Sequence, residues 1–269
     1  MLFKAFAVDE FVRRRLADVV AAAPSGDVYL MLDETNEAHG RIDFPRTLRY
    51  RDADLVSLGF PHIAQGSLVW YNADYPLYYF RHLHPDYDVV VMVEYDAVPI
   101  VNLDTLVEKF RDEQIDFVGH QIGEAEQTYW WKSTLRRFYS PQQIRPYLIC
   151  AALFSARAID HLARRRKQQG SVGVSDAGEW PIGETFVGTE LAYANFAIRE
   201  LSYFGDVARY DWWPPIHERE LASCKGEVFV HPVLAGRRYF NSLFKSGYVS
   251  GTIVCAKFFA SLLGRRLKR

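Results

Sequence analysis

Residues 87–104 read YDVVVMVEYDAVPIVNLD. The run Val89-Val90-Val91-Met92-Val93 is apolar at every position and mostly β-branched, the pattern of a short strand buried on both faces. Two acids, Glu94 and Asp96, flank Tyr95 where such a strand ends. Open α/β sheets bind ligands at the carboxyl ends of their strands, so these carboxylates are expected to face substrate or metal and not core. Pro99 cannot donate to a ladder and should close the strand. Asn102 or Asp104 can then cap a helix through Phe110.

Working outward, residues 2–8 read as a first strand. Asp9 is placed to cap a helix over 10–23 whose apolar stripe is Phe11, Val12, Leu16, Val19 and Val20. Pro24-Ser25-Gly26 breaks that helix, and residues 27–33, DVYLMLD, form a second apolar strand that also ends in acid. Strand, helix, strand within 33 residues is a βαβ unit, which marks the chain as α/β from its start. Residues 34–66 read mostly as loop, with a short strand at Val56-Ser57-Leu58-Gly59, and a helix is expected after Pro76. Downstream, residues 116–120 and 147–154 read as strands, and Ser155 caps a helix to about Gln169. Five Gly or Ser residues between Gly170 and Gly178 predict a mobile loop over 170–183, able to order over a ligand as lids do. Thr189 or Glu190 is expected to open a helix running to about Glu200, and 201–235 mixes short strands.

The chain has 269 residues, 49% hydrophobic and 24% charged, which suits one α/β domain with a large core. No apolar run reaches the roughly 18 residues of a membrane span. Three cysteines, odd in number and far apart, give neither a disulfide framework nor a CxxC metal spacing, so a reducing cytoplasm is expected. Net charge is −1, but no acid follows Glu227, and the eight Lys and Arg beyond it leave −9 on the rest. The tail therefore calls for an anionic partner. The acidic remainder would repel nucleic acid, which favours the inner face of a membrane. Residues 252–269 read as an apolar helix with a basic end, either packed on the core or lying in an interface. The expected division is a domain over 1–235 and a basic amphipathic extension over 236–269.

Carboxylates at i and i+2 at a strand end can share a divalent cation; the plainer alternative is a pair bonded to loop amides. Mg²⁺ and Mn²⁺ favour such oxygens and complete their shells with substrate phosphates. In Glu94-Tyr95-Asp96 after its buried strand, the sequence resembles the GT-A glycosyltransferases, whose DxD motif sits in this way. The resemblance spans residues 2–233 by order of elements. It departs from the motif in having ExD, which makes Asp96 the expected direct ligand and leaves Glu94 beside it. The resemblance implies a Rossmann-like αβα sandwich with a mixed, mainly parallel central sheet. It also implies a divalent metal, Mn²⁺ or Mg²⁺, on the diphosphate of a nucleotide-sugar donor, with a saccharide or lipid-linked acceptor. By the same resemblance Asp33 would meet the ribose or base, and His231 would join Asp96 and Glu94 at the metal. Glu190 would be the general base with Glu184 in reserve. Separately, the aromatic pair Trp212-Trp213 beside Pro214-Pro215 is expected to be partly exposed and to touch an acceptor sugar. Two alternatives stay open: a metal-dependent nucleotidyltransferase or phosphohydrolase, and a non-catalytic binding module of the same fold. A nucleotidyltransferase usually carries a Gly-rich basic loop after its first strand, where this chain has Val8-Asp9-Glu10.

Overall fold

The computed structural model describes residues 1–40, 42–123 and 129–245. The strands are β1 (Leu2–Ala5), β2 (Tyr29–Asp33), β3 (Thr47–Tyr50), β4 (Val89–Glu94), β5 (Val98–Pro99), β6 (Phe117–Gln121), β7 (Tyr147–Ser155), β8 (Ile198–Glu200), β9 (Ile216–His217), β10 (Phe229–Val230) and β11 (Val233–Leu234). The helices are α1 (Glu10–Ala22), α2 (Asp52–Ser57), α3 (Leu68–Tyr71), α4 (Tyr75–Leu83), α5 (Leu103–Asp112), α6 (Ala156–Gly170), α7 (Gly183–Tyr193) and α8 (Gly236–Lys245). Seven of the described strands form one sheet in the order β3-β2-β1-β4-β7-β6-β8. The pairs β3–β2, β2–β1, β1–β4 and β6–β8 are parallel; β7 runs antiparallel to both of its neighbours.

Strand alternation builds the two layers. Phe3, Leu30, Val91 and Val93 point to one side, where they pack on α1 through Val12 and Leu16 and on α5 through Leu106 and Phe110. Leu2, Met31, Val90 and Met92 point to the other, onto α4, α6 and α7 through Leu77, Ile159 and Phe186. The result is the expected αβα sandwich around a mixed, mainly parallel sheet. Helix starts follow local chemistry. Asp9 caps α1 by accepting from the Val12 amide at 3.0 Å, Asn102 caps α5, and Ser155 caps α6.

Several boundaries differ from expectation, each for a physical reason. Val20 is exposed, because α1 meets the sheet along a narrower stripe than its apolar residues cover. Residues 52–57 form α2, with Asp54 accepting from the Arg51 amide, and not a strand at Val56; the missed edge strand is β3. Helix α7 begins at Gly183, well before Thr189, so Glu184 lies in its first turn and Glu200 falls in β8. The 170–183 segment is not a loose lid. Trp180 within it is fully buried, its indole donates to Asn72 at 2.8 Å, and the Tyr71 hydroxyl donates to the Ala177 and Trp180 carbonyls. Helix α8 sets Tyr239 and Leu243 into the first core layer. The remainder of the basic extension, including the helix expected over 252–269, lies outside the described residues. No described helix is long and apolar enough to cross a membrane.

Candidate active site

The parallel register of β1 and β4 sets Lys4 level with Glu94 at the carboxyl edge of the sheet. Lys4 is buried, and its ammonium donates to Glu94 Oε1 at 3.0 Å and to the Ala73 carbonyl at 2.9 Å. Burial pushes the Glu94 carboxyl up. The Lys4 ammonium and His231 beside it more than offset this, so the carboxyl sits below its ordinary range.

Asp96 follows the turn at Tyr95. Its backbone carbonyl accepts from Val233 at 2.7 Å, which ties this turn to the segment that carries His231. The second tie is the two-residue pairing of β10 with β5, Val230 opposite Val98, which delivers His231 beside the 94–97 turn. His231 Nδ1 lies 2.7 Å from the Asp211 carbonyl, an acceptor only, so Nδ1 donates there and Nε2 is the ring nitrogen turned toward Asp96. Nε2 is 3.6 Å from Asp96 Oδ1. The Tyr210 ring packs 5.8 Å from the imidazole and hooks its hydroxyl onto the Ala151 backbone, fixing His231 from the sheet side. Burial pushes the Asp96 carboxyl up to about 6; His231 works against this shift, and Glu94 adds to it.

Two further groups complete the cluster. The β4–β7 ladder runs to Val93 opposite Ala151, so Glu94 and Cys150 leave it side by side. Glu184, in the first turn of α7, accepts a short hydrogen bond from the Tyr129 hydroxyl. Burial pushes its carboxyl up to about 6, the Tyr129 bond lowers it, and Glu94 raises it. Glu94, Asp96, Glu184 and Cys150 are close enough that all three carboxylates also raise the Cys150 thiol, after burial itself.

The cluster thus gathers three carboxylates against one lysine. Asp96 Oδ1 is buried and makes no hydrogen bond. A buried, unpartnered carboxylate oxygen is costly unless something cationic meets it. Among the described residues, ligand atoms of Glu94, Cys150 and His231 all lie within 4.8 Å of one another. The residues present therefore fit a divalent cation, by the Asp96 oxygen that accepts no hydrogen bond and by the convergent donors of Glu94, Cys150 and His231.

No family model matches the chain, and no curated protein matches its sequence. Solved structures similar to it include the galactosyltransferase LgtC in complex with donor and acceptor sugar analogues, at 13% identity over 84% of this chain and 79% of that one, with a TM-score of 0.44. Mouse xyloside xylosyltransferase 1 is similar at 11% identity over 86% of this chain and 96% of that one, TM-score 0.46. The bifunctional glycosyltransferase WbbM is similar at 10% over 86% and 45%, TM-score 0.44.

The structure brings Glu94, Asp96, His231 and Glu184 together and places the other two expected site residues elsewhere. Glu190 is 1% exposed and is bonded by the Tyr139 hydroxyl, His161 Nε2 at 2.7 Å and Arg165 Nε at 3.1 Å. None of these partners belongs to the cluster, and a carboxylate so occupied has no room for an acceptor hydroxyl. The general-base expectation for Glu190 is corrected on that ground. Asp33 stands two strands from Glu94 at the same sheet edge, accepting from the Thr35 amide at 2.9 Å in a local turn. Trp212 is 61% exposed. Sequence reasoning missed Lys4, Cys150 and Tyr129. Lys4 had a signal, a lone charge inside Leu2-Phe3-Lys4-Ala5; Cys150 had none, because a thiol inside an apolar strand reads as core.

Proposed function

We propose that the protein is a glycosyltransferase that moves a sugar from a nucleotide-sugar donor to a saccharide or lipid-linked acceptor. The observation that carries this reading is the buried Asp96 Oδ1, which accepts no hydrogen bond, in a cluster with Glu94, His231 and Glu184 at the carboxyl end of the sheet. A divalent cation, Mn²⁺ or Mg²⁺, held by Asp96, Glu94 and His231 would offset the charge of the leaving diphosphate. Lys4 fixes Glu94 through Oε1 and brings its ammonium to the same edge. Asp211 and Tyr210 hold the His231 ring in its tautomer and orientation. Asp33, at the same edge, contacts the ribose or base of the donor.

Glu184 takes the proton of the acceptor hydroxyl, the role expected first of Glu190. Burial pushes its carboxyl up to about 6, toward the range a general base uses, and Tyr129 holds its orientation. Trp212 offers an exposed ring for an acceptor sugar. The basic tail, eight cations after Glu227, brings the enzyme to an anionic membrane surface where a lipid-linked acceptor is reached.

The test is thermal shift against nucleotides and nucleotide sugars, with and without Mn²⁺, on the parent and on Asp96→Ala, followed by donor turnover. A Mn²⁺-dependent shift with one nucleotide class, lost in Asp96→Ala, and sugar transfer from that donor support the reading. Binding without turnover of any donor would leave a binding module of this fold. No metal-dependent shift with any nucleotide sinks the proposal. NMR of the product anomer separates a base at Glu184, which inverts, from a nucleophile, which retains.

A further inference from the structure

We propose that Cys150 Sγ is a ligand of the divalent cation, beside Glu94 and His231, so that the site prefers a thiophilic ion, Zn²⁺ or Co²⁺, to Mg²⁺. This rests on the cation site described above, but not on sugar transfer. Three observations carry it. The β4–β7 register brings Glu94 and Cys150 out of the ladder as neighbours, and a shift in the adjoining β6–β7 register between Val118 and His120 distorts the sheet at that level. Irregular ladders of this kind re-aim side chains next to functional sites. Second, each partner of Cys150 is prepared for coordination. Glu94 has Oε1 committed to Lys4, and His231 has Nδ1 committed to the Asp211 carbonyl, which leaves Nε2 as a donor to metal. Third, the ligand atoms of Glu94, Cys150 and His231 all lie within 4.8 Å of one another.

The donor set decides the ion. One sulfur, one imidazole nitrogen and one carboxylate oxygen suit Zn²⁺ and Co²⁺, while Mg²⁺ asks for oxygen throughout. Asp96 Oδ1, which accepts no hydrogen bond and lies 3.6 Å from His231 Nε2, borders the same group. On binding, the thiol proton leaves to solvent and the sulfur lone pair goes to the metal, so charge and atoms balance without a redox step.

Cobalt titration of the full-length, metal-stripped protein tests this without any activity assay. The expected result is a near-ultraviolet sulfur-to-cobalt charge-transfer band saturating at one ion per chain, kept in Cys224→Ser and Cys255→Ser and absent in Cys150→Ser. Competition with a chelator should show Zn²⁺ binding weakened at least about tenfold by Cys150→Ser. Absence of the band in the parent, or an unchanged cobalt spectrum and Zn²⁺ affinity in Cys150→Ser, overturns the proposal. Where Cys150→Ser fails to fold, Cys150→Ala replaces it, and failing both, the parent spectrum with its two cysteine controls decides. Loss of sugar transfer as a function would leave the cobalt result standing; an all-oxygen-and-nitrogen cobalt spectrum in an active transferase would refute only the sulfur ligand.

Discussion

Glu184 and Asp96 share one physical condition: each is a carboxyl raised to about 6 by burial near a third carboxylate, Glu94. For Glu184 the consequence is catalytic. A base must be ionised, so kcat should fall as pH drops through about 6 and level off above it. Glu184→Gln should lose about 10²–10⁴ in kcat and remove that acidic limb. Steady-state rates from pH 5 to 8.5 check both. For Asp96 the consequence is thermodynamic. Its folded carboxyl holds the proton more tightly than the unfolded one, so its contribution to stability declines as pH rises from about 4 to about 6. In chelator-treated protein, Asp96→Asn should therefore be more stable than the parent by about 1–3 kcal/mol above pH 6 and equal to it below about pH 4. Urea unfolding at pH 4 and pH 7.5 reads the difference, and a gain of equal size at both would show that charge is not its cause.

Helix α7 places Glu184, and two contacts place α7. A Cβ at Gly188 would lie 2.0 Å from Tyr147 Cδ2 and 2.8 Å from the Arg145 carbonyl, so the helix packs on the start of β7 with no room for a methyl group. Alanine gains up to about 1 kcal/mol of helix propensity over glycine. Overpacking against backbone costs about 1–3 kcal/mol, so Gly188→Ala should be net destabilising by denaturant titration. The second contact is Arg166 with Asp74, both fully buried and joined by two 2.8 Å bonds, with Arg166 also donating to the Pro181 carbonyl just before α7. The Tyr78 hydroxyl and the Phe186 ring complete the enclosure. Asp74→Ala would leave a buried guanidinium without its counter-ion, at a cost of about 3–5 kcal/mol. Replacing both by apolar residues, Asp74→Leu with Arg166→Met, should recover much of that loss in the same unfolding assay.

For the whole molecule, the cation site joins segments distant in the chain: β1, the end of β4, the start of β7, the first turn of α7 and the residue after β10. A cation that binds only when these are assembled stabilises the folded state by about 2.7 kcal/mol at a hundredfold excess over Kd, on the order of 5 °C in Tm for a chain of this size. Differential scanning fluorimetry with Mn²⁺ and with Co²⁺ should show that rise in the parent and none in Asp96→Ala. An equal rise in both would locate the bound cation elsewhere.

The strand β4, its two acids and the βαβ opening were legible because a continuous β-branched run has one economical reading, burial on both faces, and a charge at its end cannot stay in the core. The helix caps at Asp9, Asn102 and Ser155 were legible because a cap is local chemistry within three residues. What the sequence could not decide depends on contacts between distant segments. Thr189-Glu190 has the local signature of a helix start, yet packing of Phe186 and Val187 on the sheet carries α7 back to Gly183. That extension brings Glu184 to the site and turns Glu190 toward His161 and Arg165. The Gly- and Ser-rich 170–183 segment reads as mobile until Trp180 finds its pocket. His231 and Cys150 become neighbours of Glu94 only through the β10–β5 and β7–β4 registers. Register is a tertiary quantity, set by which apolar faces meet, and together with the packing of α7 it turned a histidine, a thiol and three acids into one charged cluster.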